Sequence, residues 1–136
     1  MMGYWQFTIP GRLPGLTEMI EAAKGHGGHG YGYSKLKKKW TNDIALIIKG
    51  ARIPKLERIW VDYYWYEPVA TKREHPRDPD NVSGGGRKII NDSLKLAHVI
   101  PNDTMKEIAG WQDNFEADDT PRIVVTVWKA LEAYDG

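Results

Sequence analysis

Apolar and polar positions change period several times along the chain, and each change marks an element. Residues 4–9 alternate, with Trp5, Phe7 and Ile9 on one side, which predicts an opening strand. Pro10, Gly11, Pro14 and Gly15 break that pattern. Thr17 suits the cap of a short helix reaching about residue 24, with Leu16, Ile20 and Ala23 turned inward. Ser34 suits the cap of a longer helix over residues 35–49, whose buried stripe is Leu36, Trp40, Ile44, Ile47 and Ile48. Residues 56–67 return to alternation, Ile59, Val61, Tyr63 and Trp65 against Trp60, Asp62, Tyr64 and Tyr66. That is a long strand with aromatics on both faces. From Arg87 the spacing is helical again: Ile90, Leu94 and Ala97 fall at i, i+4 and i+7, and Pro101 closes the element. Ile108, Trp111 and Phe115 fit a helical stripe almost as well as a bulged strand, and Gly110 favours the strand. Residues 116–121 form an acidic turn, and residues 122–129 predict a closing strand. The order β-α-α-β-α-β-β describes one small α/β (α+β) domain, a mixed sheet with packed helices and no internal repeat.

Composition narrows this picture. A chain of 136 residues with 41% hydrophobic content, six Trp and seven Tyr suits a single globular core. The absence of Cys excludes disulfides and thiolate zinc sites and is compatible with a reducing cytoplasm. No apolar run reaches membrane-spanning length, and the first residues lack a signal-peptide layout. The net charge of +1 conceals an asymmetry: residues 34–58 carry eight Lys/Arg against two acids, residues 100–120 six acids against one Lys. A basic surface beside an acidic patch suits a protein that holds a polyanion and coordinates a cation. Lys35, Lys37, Lys38 and Lys39, in the first turns of the long helix, oppose the helix dipole there and point to DNA phosphates. The plainer reading is a solubilising face. Residues 25–33 hold five Gly and read as a loop. In it, His26 and His29 are incidental or DNA-contacting before they are metal ligands, and Tyr31 and Tyr33 either stack on a base or anchor the loop's end. The outward aromatics of residues 56–67 are core by default, or a dimer interface if exposed.

The densest chemistry lies in residues 77–103, where Asp78, Asp80, Asp92 and Asp103 fall within 26 positions around three consecutive Gly and Lys88. Asp78 and Asp80, at i and i+2, point to one side of an extended segment. Lys88, Asp92 and Lys95 share one face of the helix that follows. Convergent carboxylates without Cys or paired His favour Mg²⁺ or Mn²⁺ over Zn²⁺. Glycines at a helix start let a phosphate approach, where Lys88 would offset its charge. Ordinary turn chemistry at Asp-Pro-Asp-Asn, followed by an ion-paired helix, accounts for the same residues equally well.

Asp78-Pro79-Asp80-Asn81, then Lys88 four residues before Asp92, then Leu94, then Val-Ile-Pro-Asn-Asp closing on Asp103, resembles the RusA-like Holliday-junction resolvases. These are small, homodimeric, Mg²⁺-dependent endonucleases found mostly in phages and prophages. The likeness covers about residues 71–108 and is diffuse elsewhere. It implies that Asp78, Asp80 and Asp103 bind the metal, that Lys88 is the essential lysine, and that Asp92 is a further acidic position. It also favours a strand over residues 105–115. Two departures stand out. The lysine comes eight positions after Asp80, where the simplest family pattern has about one helical turn, so Arg87 shares its candidacy. Asn102 occupies a position that is Asp in many members. Lys72, Arg73 and Arg77 lead into the aspartates and are expected on the substrate backbone.

The resulting expectation is a Mg²⁺-dependent endonuclease on branched DNA, acting as a homodimer in a bacterial host's cytoplasm. A catalytically inactive junction-binding protein is the alternative. A nucleotide-phosphate enzyme using the Gly-Gly-Gly-Arg-Lys segment lacks the full phosphate-loop spacing.

Overall fold

The structure is a computed structural model. It describes residues 3–15, 18, 20, 21, 24, 31–68 and 77–131, residues 31–33 as backbone only. It is a small α+β domain: β1 (Tyr4–Pro10), α1 (Tyr31–Gly50), β2 (Ile59–Glu67), α2 (Pro79–Leu96), β3 (Ile108–Ala117) and β4 (Arg122–Lys129). Between β1 and α1, Glu18, Ile20, Glu21 and Lys24 have helical backbone, where the short helix was expected.

The four strands form one mixed sheet in the order β1-β4-β2-β3. β4 pairs antiparallel with both β1 and β2, while β3 lies parallel to β2 as an edge strand. A parallel neighbour needs a crossover, and α2 provides it. Both helices pack on one face. Phe7, Ile9, Val61, Tyr63, Trp65, Ile123, Val125 and Val127 project from the sheet against Ile44 and Ile48 of α1 and Ile89, Ile90 and Leu94 of α2. Phe7, Ile9, Val61, Tyr63, Trp65, Ile44, Ile48, Ile90 and Leu94 are residues that the alternating and helical periods selected; Ile89 lies outside the stripe they gave.

Four boundaries differ from expectation. α1 begins at Tyr31, so Ser34 lies inside the helix and the glycine-rich loop surrenders its last three residues. The four lysines therefore sit beyond the first turn, where the dipole penalty has faded, and that part of the argument for a polyanion falls away. α2 begins at Pro79 rather than near Arg87. Asp78 is its N-cap, accepting the Asn81 N–H at 2.9 Å, and proline suits the first helical position. Gly84, Gly85 and Gly86, expected at a helix start open to phosphate, thus lie within the helix. Close packing explains at least one of them. A Cβ on Gly86 would lie 2.8 Å from the Trp65 ring.

α2 ends as His98 turns into the left-handed region, φ 62°, and Val99 and Ile100 plug the core behind it. β2 opens at Ile59 instead of residue 56 and β3 at Ile108 instead of residue 105. Leu56 bonds back to Val99, and residues 104–107 form a turn closed by Glu107, which accepts from the Thr104 N–H and hydroxyl.

Candidate functional site

The segment entering α2 is pinned before the helix begins. Arg77 donates to Glu67 at the end of β2 at 2.7 Å and to the Leu13 carbonyl at 3.3 Å, and Arg12 grips the same carboxylate at 2.9 Å. Burial would raise the Glu67 pKa, but the two guanidinium groups outweigh it and hold the carboxyl below its ordinary range. Arg77, expected on DNA, is turned inward and ties the entry to α2 to the end of β2 and to Leu13. Its anchorage fixes the position of Asp78.

Asp78 and Asp80 both lie exposed at the first turn of α2. One oxygen of Asp78 is used by the cap. Among the described residues neither carboxylate has a cationic partner.

The other two aspartates are placed differently. Lys88, Asp92 and Lys95 form the ridge that their spacing predicts, and Asp103 approaches it from the loop after α2. Lys88 Nζ lies 3.2 Å from Asp103 and 3.5 Å from Asp92. Lys95 Nζ lies 3.3 Å from both. Lys37 of α1 comes within 2.8 Å of Asp92 Oδ2, off the direction of an aligned hydrogen bond, so this contact is chiefly ionic. Burial would raise the Asp92 and Asp103 pKa values, but the surrounding ammonium groups outweigh it and hold both below the ordinary carboxylate value. For Lys88, burial pulls down, yet Asp103 and Asp92 leave its pKa above normal. Three lysines around two aspartates make a structural clasp between the helices in which both carboxylates are ion-paired.

The two groups of aspartates do not meet within one chain. Asp80 and Asp92 are twelve positions apart on a continuous helix, roughly 18 Å of rise. Asp103 sits at the Asp92 end. Among the described residues no three His, Cys, Asp or Glu side chains converge as a metal site. The three-carboxylate set Asp78, Asp80 and Asp103 is therefore not assembled in a single copy. Two exposed carboxylates two residues apart do suit a hard cation that takes the rest of its ligands from water and phosphate. The donor set fits Mg²⁺ at Asp78 and Asp80, and does not fit it at Asp92 and Asp103.

Arg87, a second candidate for the essential cation, also faces inward. It donates to Asp113 of β3 at 2.5 Å and lies 5.0 Å over the Trp111 ring, while Trp65 Nε1 donates to the same carboxylate at 2.9 Å. Beside it the Tyr63 phenol, pushed up by burial and so kept protonated, donates to Asn91 at 2.7 Å. Lys88, half exposed, is the cation of α2 that faces solvent. Lys35, Lys38 and Lys39 are exposed on neighbouring α1, Lys39 lying 5.8 Å from the Trp40 ring. Lys72, Arg73, His26 and His29 lie outside the described residues, as do the side chains of Tyr31 and Tyr33.

Sequence reasoning placed Lys95 on the correct face without a role. It missed Asp113, which alternates between Trp111 and Phe115 on a half-covered edge strand and gives no periodic signal. No family model matches the chain, and no curated protein matches its sequence. Among the described residues, no helix is long and apolar enough to cross a membrane.

Proposed function

We propose that this chain is a Mg²⁺-dependent, structure-specific endodeoxyribonuclease of the RusA-like kind, acting on branched DNA such as the four-way junction. The observation that carries the reading is the pair Asp78 and Asp80, exposed at the start of α2 without cationic partners among the described residues. Lys88, farther along the same helix, and Lys35, Lys38 and Lys39 on α1 are exposed cations of the same chain.

Asp78 and Asp80 would hold the metal; bound there, Mg²⁺ would polarise the scissile phosphate and lower the pKa of an attacking water. The chain's own residues do the rest. Asp92 and Asp103 hold Lys88 protonated and fixed in direction, roughly 12 Å along α2 from Asp80. Lys35, Lys38 and Lys39 engage backbone phosphates, a sequence-independent contact whose strength falls with salt. The homodimer belongs to this reading, because paired symmetric cuts need two sites related by a two-fold axis, and a second copy would bring further carboxylates.

Incubation of a labelled four-way junction and of linear duplex with the same sequence, each with and without Mg²⁺, tests the proposal. Cleavage of the junction that requires Mg²⁺ and disappears in Asp80→Asn supports it. Equal cutting of both substrates removes the junction specificity and leaves a nuclease. The neutralised state of Asp92 and Asp103 favours a second reading, a junction-binding protein without catalysis. Tight junction binding with no cleavage under any divalent cation would establish that reading instead.

A further inference from the structure

The sheet has two free edges, and they are not equally guarded. β1 ends in Pro10, which cannot donate to a neighbouring strand. β3 contains neither Pro nor Lys over Ile108–Ala117, and its register shift falls at its start, beside Ile59 and Trp60. An edge of that kind keeps a row of N–H and C=O groups open to pairing. It also keeps apolar surface open. Trp111 and Phe115 stand beside Val61 and Trp65 in the parallel ladder, so they project from the face of the sheet that bears the helices. Val61 and Trp65 are buried there, while Trp111 is left 50% and Phe115 40% exposed. The opposite face closes over its own rings. Trp60 and Trp128 both donate an indole N–H to Asp62, each at 2.9 Å, and Trp60 lies across Gly110.

Antiparallel pairing of β3 with β3 of a second copy suits these residues in one register. With Asp113 opposite its own counterpart, Trp111 meets Phe115 of the second copy and Phe115 meets Trp111, so a two-fold axis makes the aromatic pair twice. Cross-strand pairs of this kind stabilise a sheet. Moving the axis to Gln112 sets Trp111 against Asp113, and moving it to Asn114 sets it against Ala117. On the other face, the amides Gln112 and Asn114 become opposite partners. The two Asp113 carboxylates tolerate the meeting because each already accepts from its own Arg87 and Trp65 Nε1. Charge agrees beyond the ladder. Lys106, exposed, is the single cation of residues 100–120, and Glu116, Asp118 and Asp119 lie at the other end of the strand. Antiparallel pairing brings Lys106 of each copy to the acidic end of the other; parallel pairing sets like charges side by side. The other free edge, β1, carries no charge with which to answer that acidic end. An unrelated peptide would need the same aromatic spacing and the reversed order of charges. A second copy supplies both.

We infer that β3 is the interface of a two-fold dimer, joining two four-stranded sheets edge to edge into one continuous sheet. Trp111 and Phe115 of each copy are sealed against those of the other, and α1 and α2 of both copies lie on the same face. The inference rests on the homodimer of the proposed function and on none of its metal chemistry.

Sedimentation velocity of the full chain over a range of concentrations, in EDTA and without DNA, tests it. The parent should sediment as a dimer and Phe115→Lys, a change at an exposed side chain, as a monomer. Trp111→Ala should weaken the dimer by at least roughly 10-fold. Disulfides read the register, since the chain has no Cys. Residues directly opposite lie about 4.5–5.5 Å apart, within disulfide reach. Diagonal neighbours, at about 7–8 Å, lie beyond it. A mixture of Gln112→Cys and Asn114→Cys chains should therefore cross-link on mild oxidation, and neither chain alone. This arm keeps both aromatics and decides the question even if Phe115→Lys unfolds. A parent that stays monomeric, a folded Phe115→Lys chain that still dimerises, or equal cross-linking in either chain alone overturns the inference. A dimer that passes these tests and never cuts a junction leaves the interface standing and ends the nuclease reading. Mg²⁺-dependent cutting by a monomer does the reverse.

Discussion

The two ends of α2 carry the same kinds of residue and hold them in opposite states. At the beginning, Asp78 and Asp80 stand exposed, without cationic partners among the described residues. Towards the end, Asp92 and Asp103 are closed in by Lys37, Lys88 and Lys95 at 2.8–3.5 Å. An aspartate so surrounded has its charge answered inside the protein and serves to join α1, α2 and the following loop. An aspartate left bare at a helix start keeps its charge available to something that arrives from solution. The comparison teaches that carboxylate count is a poor guide to a metal site, and that the distribution of ammonium groups decides which carboxylates remain free.

The largest expected effect separates the two ends directly. Asp80→Asn should reduce Mg²⁺-dependent junction cleavage by roughly 100-fold or more, because a metal ligand contributes several kcal/mol to the barrier. Asp78→Asn should do likewise while keeping its N-cap, since Asn caps as well as Asp. Urea denaturation of both variants should remain within about 0.5 kcal/mol of the parent. A large loss of stability in either would erase the contrast.

At the other end, Asp92→Ala should cost about 1–3 kcal/mol in the same measurement, because three ammonium groups lose their shared counter-charge. A neutral result would mean that the clasp holds nothing together.

The pH dependence follows with its sign fixed. Asp92 and Asp103 are held below the ordinary carboxylate value of 3.8, so their contribution is complete above that pH and is lost as pH falls through the lowered values. Lys88 is raised above 10.5, so its share is present below that pH and is lost as the pH rises through its higher value. Urea midpoints should therefore fall more steeply below about pH 4 in the parent than in a chain lacking both aspartates. Equal slopes would remove the clasp from acid unfolding.

The smallest effects distinguish the lysines. Lys35→Ala, Lys38→Ala and Lys39→Ala should each reduce the salt slope of duplex binding by about 0.9 with little change in stability. Lys37→Ala, already committed to Asp92, should lower stability by about 1 kcal/mol and scarcely alter the slope. Binding isotherms at several salt concentrations read both outcomes. If Lys37 behaves like its neighbours, it belongs to the surface and not to the clasp.

Much of the fold was legible because burial imposes its period on the chain. Ile59, Val61, Tyr63 and Trp65 are buried in β2 as their alternation predicts, and Ile44, Ile48, Ile90 and Leu94 form the helix seams. The glycines were misleading. As a composition, Gly84 to Gly86 suggest a helix start open to phosphate; as packing, Gly86 is the residue that lets α2 lie against Trp65. Propensity is a local quantity, and a close helix–sheet contact overrides it. The site was legible in its members and not in its grouping. The spacing put Lys88, Asp92 and Lys95 on one face, while nothing local could show that Lys37 reaches across from α1 or that Arg87 turns to Asp113.

The sequence by itself determined the periods of burial and the stretches of the chain that carry the charged groups, since these depend on neighbours a few residues away. The tertiary structure alone decided which charges cancel and which stay open. Pairing energies fall off over a few ångströms, and only folding brings residues as remote as Lys37, Asp92 and Asp103, or Trp60 and Trp128, within that reach.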